Sequence, residues 1–191
     1  MNADELRAAL SAYMKRTDPE TIANEPTALE LSRLLVGVTF FPHESETVVP
    51  SLAIVDGEAP LPDDFGRAVA VAKDFAYTAP RVWRSLQGNA RELAGRFTVY
   101  GGALHVHPAL TEVSLVYNRQ PEAIVGTASN WLSELYPQVW LHAARAEQYR
   151  FIEDTEGAMQ ADGYWRGLAQ ELAAVAEVTR QAGGLIRMKS R

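Results

Sequence analysis

Residues 129–149, SNWLSELYPQVWLHAARAEQY, decide how the chain is read. At 100° per residue, a helix running on from here puts Tyr136, Val139, Trp140, Ala143, Ala144 and Phe151 on one face and Gln138, His142, Arg145 and Tyr149 on the other. Such a helix faces a core, and Pro137 suits its first turn, where the missing N–H goes unused. Glu147 falls inside the apolar face, and an unpaired carboxylate is costly to bury. It requires a donor in the helical body or a place at a subunit contact, and Arg145 and Arg150 flank it.

On the C-terminal side, residues 159–180 read as a second long helix. Trp165, Leu168, Leu172, Val175 and Ala176 form its stripe, against Arg166, Gln170 and Glu177. Gly183-Gly184 is expected to stop it, leaving 183–191 as a flexible basic tail with Arg187, Lys189, Arg191 and no acid. At the other end, residues 4–15 place Leu6, Leu10 and Tyr13 at helical spacing, and Thr17-Asp18-Pro19 reads as a turn. A further helix is expected over 26–35, opened by Pro26, with Leu31, Leu34 and Leu35 inward.

From Val36 the vocabulary becomes β-branched and aromatic. Residues 38–41, 47–49 and 51–55 read as strands broken by Pro42, Pro50 and Gly57, and the acidic, proline-rich stretch 56–64 as an exposed loop. Residues 67–72 suit another strand, and 81–92 fit either a short helix or irregular chain. The clearest strands are 97–100, 104–107 and 113–117. Gly101-Gly102 marks a tight hairpin between the first two, because such turns need positive φ. The fold class that follows is α+β. N- and C-terminal helices (1–35 and 122–182) form an antiparallel bundle, a small antiparallel β-rich insertion occupies 36–121, and the tail is 183–191.

A chain of 191 residues with 47% hydrophobic and 22% charged residues has enough material for a sizeable core. Its net charge of −6 argues against a surface that binds nucleic acid by neutralising phosphates. There is no cysteine, so disulfides and thiolate metal sites are excluded. No apolar run reaches the roughly 18 residues a membrane span needs, and residues 1–11 carry acids where a signal peptide has bases, so a soluble protein, cytosolic at synthesis, is expected.

Catalytic signatures are missing: no G-x-S-x-G, Walker loop, G-x-G-x-x-G or H-E-x-x-H occurs. His105 and His107, two apart on an expected strand, share a face as two metal ligands would. A third ligand is not evident, since His43 and His142 lack ligand-like spacing. Asp63-Asp64 reads as a solvated turn, and Trp131, Trp140 and Trp165 as core.

A series of short motifs, in order along the chain, resembles the adaptor proteins of short-tailed bacteriophages. Residues 6–18 are similar to the family's opening helix with its Arg-x-Asp ending, here Arg16 and Asp18. Leu61-Pro62-Asp63-Asp64-Phe65 resembles its Leu-Pro-x-Asp-Phe signature. Residues 100–108 resemble its Gly-Gly-x-Leu-x-x-x-Pro hairpin, and 113–117 the strand that follows. Asn130-Trp131-Leu132, Tyr136-Pro137, Glu147, Asp154 and Trp165 complete the series. The match departs at Arg145 and Arg150, where the family more often has apolar residues.

The resemblance implies a non-enzymatic head-to-tail connector without cofactors. Twelve copies would form a ring beneath the portal protein and extend the DNA exit channel, through which DNA passes without specific binding. The ring would offer a platform to a tail nozzle or tail tube protein. Its place would be the virion neck, after assembly in the host cytoplasm. On this reading Leu185, Ile186, Arg187, Met188 and Lys189 order against the portal, and Glu147, Arg145 and Arg150 serve a subunit contact or a buried pairing. The competing readings are a small metal-binding enzyme using His105 and His107, and another tail subunit such as a stopper or tube protein.

Overall fold

A computed structural model describes the backbone of residues 1–16, 18–72 and 74–188, and the side chains of these up to Val175 other than Ala90. The chain is α+β and divides into two compact units, one of Met1–Ser45 with the chain from Gln120 onward, the other Glu46–Arg119.

In the first unit, α1 (Ala3–Met14) starts with a capping box. The Asn2 side chain accepts from the Glu5 N–H at 2.9 Å, and the Glu5 carboxylate accepts from the Asn2 N–H at 3.0 Å. Its buried stripe is Leu6, Leu10 and Met14, whereas Tyr13 turns outward and its hydroxyl donates to Gln138 at 3.0 Å. Helix α2 (Pro19–Thr39) is far longer than the expected 26–35. Asp18-Pro19 is its start signal rather than a turn. The Asp18 carboxylate caps the Thr21 N–H at 3.2 Å, and Pro19 fills the first helical position. Pro26 therefore sits inside the helix. The helix continues through Val38 and Thr39, residues expected in a strand, and only Phe40 becomes extended. Gly37 is required there, because a Cβ would lie 2.8 Å from Pro121 Cδ.

Helix α5 (Trp131–Leu135) leads into α6 (Pro137–Phe151), and α7 runs Thr155–Met188. Helix α6 packs against α1, α2, α5 and α7, so it is buried on more than one face: Val139, Trp140, Leu141, Ala143, Ala144, Ala146 and Gln148 are all inside. This corrects the one-face reading. Phe151, placed on the apolar face, is 48% exposed, and the buried polar residue of α6 is Gln148 rather than Glu147. The Gln148 amide donates to the Thr21 carbonyl at 3.1 Å and accepts from Asn24 at 3.1 Å, tying α6 to α2. The Trp140 indole N–H donates to the Leu29 carbonyl at 2.9 Å, a second tie to α2. Helix α7 does not stop at Gly183-Gly184 but continues to Met188, correcting the expected free tail from residue 183; Lys189 lies outside the described residues.

The second unit holds two sheets. Strands β1 (Glu46–Ala53), β3 (Phe65–Val71) and β7 (Glu112–Arg119) form one, in the order β1-β7-β3. Strands β2 (Glu58–Pro60), β4 (Ala76–Tyr77), β5 (Arg96–Tyr100) and β6 (Ala103–His105) form the other, in the order β2-β6-β5-β4. Pro50 is accommodated because β1 is an edge strand with a register shift between Val49 and Leu52. Two expectations are revised. The stretch 56–64 contains β2, whose Ala59 is buried, and the region is not wholly antiparallel, because β4 pairs with β5 in parallel. The ambiguous tract resolves into α3 (Pro80–Leu86) and α4 (Ala90–Leu93), with Trp83 and Leu93 buried. Gly101 and Gly102 take φ of 61° and 77°, the turn that the hairpin demands. Ile54, Val71, Phe97, Leu104, Val106 and Leu115 anchor a core separate from that of the helical unit.

Replacing Gln148 by leucine keeps the volume but removes the hydrogen bonds to the Thr21 carbonyl and from the Asn24 amide. Urea unfolding is expected to show a loss of about 1–3 kcal/mol. An unchanged midpoint would show that the amide does not tie α6 to α2.

Candidate functional site

The structure gives most of the quoted motif residues a fastening task. Asn130 caps α5, its side chain accepting from the Ser133 N–H at 2.8 Å while its amide donates to the Glu122 carbonyl at 2.5 Å, and Trp131 and Leu132 are buried behind it. The Tyr136 hydroxyl donates to Glu44 at 2.7 Å and its ring meets Phe40 edge-on at 5.1 Å. Burial and that carboxylate raise the Tyr136 pKa. Asp154 caps the start of α7 through the Gly157 N–H at 2.8 Å, and a Cβ at Gly157 would come 2.7 Å from the Asp154 carboxylate.

In the β unit, Asp64 and Phe65 of the Leu-Pro-x-Asp-Phe stretch both grip Tyr117. The phenol donates to Asp64 at 2.7 Å and the two rings stack at 5.6 Å. Burial first, then the Asp64 hydrogen bond and charge, push the Tyr117 pKa up to about 12.

The two histidines do not form a side-by-side pair. Strand β6 ends at His105, so His107 lies beyond it in a turn, where its Nδ1 accepts from the Ala109 N–H at 3.1 Å. His105 is buried with its ring stacked on Tyr100 at 3.8 Å. Its Nε2 lies 3.3 Å from the Tyr100 carbonyl oxygen and its Nδ1 3.3 Å from a Glu58 oxygen, so both nitrogens are engaged. Among the described residues no group of three or more histidines and carboxylates has the geometry to hold a metal ion.

The residues singled out for a subunit contact lie at the end of α6. The Arg150 guanidinium donates to Glu147 at 2.5 Å and to Asp162 of α7, so Glu147, only 17% exposed, has its charge matched within the chain. Arg145 donates to the Tyr149 hydroxyl at 2.7 Å. Leu185, Ile186, Arg187 and Met188 fall on the last turns of the α7 backbone, and their side chains lie outside those described.

A family profile described as SU10 adaptor protein matches residues 1–188. The chain belongs to the SU10 adaptor protein family. Comparison with curated proteins finds no match. The family is one of phage structural adaptors, so this SU10 adaptor is a virion component of the head-tail connector class. No helix among the described residues is long and apolar enough to cross a membrane.

Sequence reading missed one surface. Residues 80–96 hold four arginines, Arg81, Arg84, Arg91 and Arg96, against a single acid, Glu92, in a chain of net charge −6. All four are exposed. The signal was available as a local charge reversal, and it was obscured because that tract fitted neither a helix nor irregular chain decisively.

Because the folded Tyr117 pKa is raised above the ordinary value of 10, the proton it keeps stabilises the β unit fully below pH 10. That contribution is lost as pH rises through about 12. Tyr117→Phe is expected to cost about 1 kcal/mol at neutral pH. It should also flatten the alkaline loss of stability followed by circular dichroism; an unchanged alkaline slope would detach Tyr117 from it.

Proposed function

We propose that this SU10 adaptor assembles as a ring of copies, twelve in number, between the portal and the tail. There it extends the DNA exit channel and offers a platform to a tail nozzle or tail tube protein. The observation that carries the reading is the family match along residues 1–188. The fold is consistent with it, since the motif residues serve as caps and clamps within each unit and leave the exposed surfaces for partners.

In this reading the bundle formed by α1, α2, α6 and α7 is the ring's body. The end of α6, with Glu147, Arg145 and Arg150, lies at a contact between copies, and the β unit faces outward or toward the tail. Helix α7 has 34 residues against 15 in α6. At a rise of about 1.5 Å per residue this is roughly 50 Å against about 22 Å. An antiparallel neighbour of that length cannot cover it, so the end of α7 carrying Leu185, Ile186, Arg187 and Met188, with Lys189 next in the chain, is the segment we assign to the portal contact. A net charge of −6 suits a conduit that must not hold DNA, because a basic lining would retain phosphates as counterions are released. The copies assemble in the host cytoplasm and end in the neck of the particle.

Co-sedimentation of the purified chain with portal tests this. The full chain is expected to travel with the portal rings, and a chain ending at residue 182 is expected to lose most of that binding while keeping its helical circular dichroism. Equal binding by the shortened chain would remove the C-terminal segment from the portal contact, and failure of the full chain to bind would contradict the adaptor position.

A further inference from the structure

Helices α3 and α4 and the start of β5 pack on one another, gathering Arg81, Arg84, Arg91 and Arg96 into one region of the β unit. Glu92 is engaged by the Asn89 amide at 2.8 Å, and Arg84 lies over the Tyr100 ring at 5.3 Å. That ring stacks on His105, which fixes it and so limits the freedom of Arg84. Arg81, Arg91 and Arg96 form no ion pair among the described residues, although the chain has an excess of acids. Val82, 48% exposed, follows Arg81 on α3. A surface whose cations are all arginines, with an exposed apolar residue in the same tract, has the composition of a protein interface rather than of a DNA track, because arginine matches carboxylates in pairs of hydrogen bonds while interfaces are poor in lysine. The chain's negative charge also opposes long-range attraction of DNA.

The opposite pattern stands at the turn between α6 and α7. Glu153, Asp154 and Glu156 are exposed there, flanked by exposed Phe151 and by Met159, 65% exposed. The turn is held in shape. Glu153 takes a left-handed φ of 60°, the Asp154 N–H donates to the Tyr149 carbonyl at 2.9 Å, and the Asp154 carboxylate caps α7. The two surfaces therefore present exposed charges of opposite sign with exposed apolar groups nearby.

We infer that the arginine patch on α3 and α4 of one copy docks on the acidic α6–α7 turn of a second copy. The inference rests on the ring reading above and names the surfaces that would make its repeating contact. A contact between two different surfaces can repeat from copy to copy in one direction, as a ring requires. It also gives the Arg150 end of α6 its place at the contact, directly beside Glu153.

Sedimentation equilibrium of the full chain tests it. At low salt the average mass of the native chain is expected to rise with concentration and to fall back toward the monomer as salt screens the surfaces. Two variants separate the surfaces: R81E/R91E/R96E, and E153K/E156K, which spares the capping Asp154. Each alone, with native circular dichroism, is expected to associate about a hundredfold more weakly or less, since like charges then face each other. Mixed together they restore association, because every contact in the mixture again pairs opposite charges between copies of different kind. A native chain that stays monomeric, either variant associating like the native chain, or a mixture that stays dissociated would overturn the contact. So would an arginine variant whose sole defect is lost binding of duplex DNA. Particles carrying the chain in their necks, with the free chain never associating through these residues, would remove this contact and leave the adaptor position standing.

Discussion

Helix α6 must be buried on several sides at once, and the helical unit is arranged to make that possible. Four other helices surround it, and it meets them with Ala143, Ala144 and Ala146, residues small enough to let backbones approach closely. The polar group this burial cannot avoid, the Gln148 amide, bonds to Thr21 and Asn24 in the first turns of α2, and the Trp140 indole bonds to Leu29 further along the same helix. These ties need α2 to begin at Asp18-Pro19, because Thr21 and Asn24 must already be helical to receive Gln148. Capping at Asp18 and packing at α6 thus depend on each other.

The β unit has a core of its own, with Tyr117 as its clasp, held by Asp64 and Phe65. Chain leaving this unit is received on α2, where Gly37 leaves room for Pro121 and Arg33 donates to the Pro121 carbonyl. Family motifs spread over both units therefore mark fasteners: caps at Asn130 and Asp154, the clasp at Asp64, and the hairpin at Gly101-Gly102. A protein whose recognisable residues are committed to holding shape meets its partners through what remains outside. That is the pattern of a structural subunit, and it fits membership of an adaptor family.

Much of this was legible in the residues. The apolar periodicity of α1 at Leu6 and Leu10 and of α7 at Trp165, Leu168 and Leu172, the glycine hairpin and the strands beside it follow from local rules, whereas Tyr13 and Val175, read into the same stripes, are exposed. What failed did so for physical reasons. Pro26 imitates a helix start, but the Asp18 cap and burial of Ala28, Leu29 and Val36 outweigh one missing hydrogen bond. Val38 and Thr39 have strand propensity, yet tertiary packing keeps them helical. The periodicity of α6 names one face, and nothing local reveals that other helices cover further faces, so Glu147 drew attention that belonged to Gln148. The two-residue β4 has no periodicity to detect. For the site, Glu147 and Arg150 were picked out and the structure pairs them, whereas the arginines of α3 and α4 went unread because a surface made by packing two short helices has no sequence period.

On the proposed function, this chain is a neck subunit seated directly on the portal. Image reconstruction of intact particles, with each of the two units of this chain fitted to the density separately, is the direct test. The expected result is a ring of copies in contact with the portal on one side and the tail on the other. Density for this chain elsewhere in the particle, or a portal joined to the tail without it, would rule out that placement.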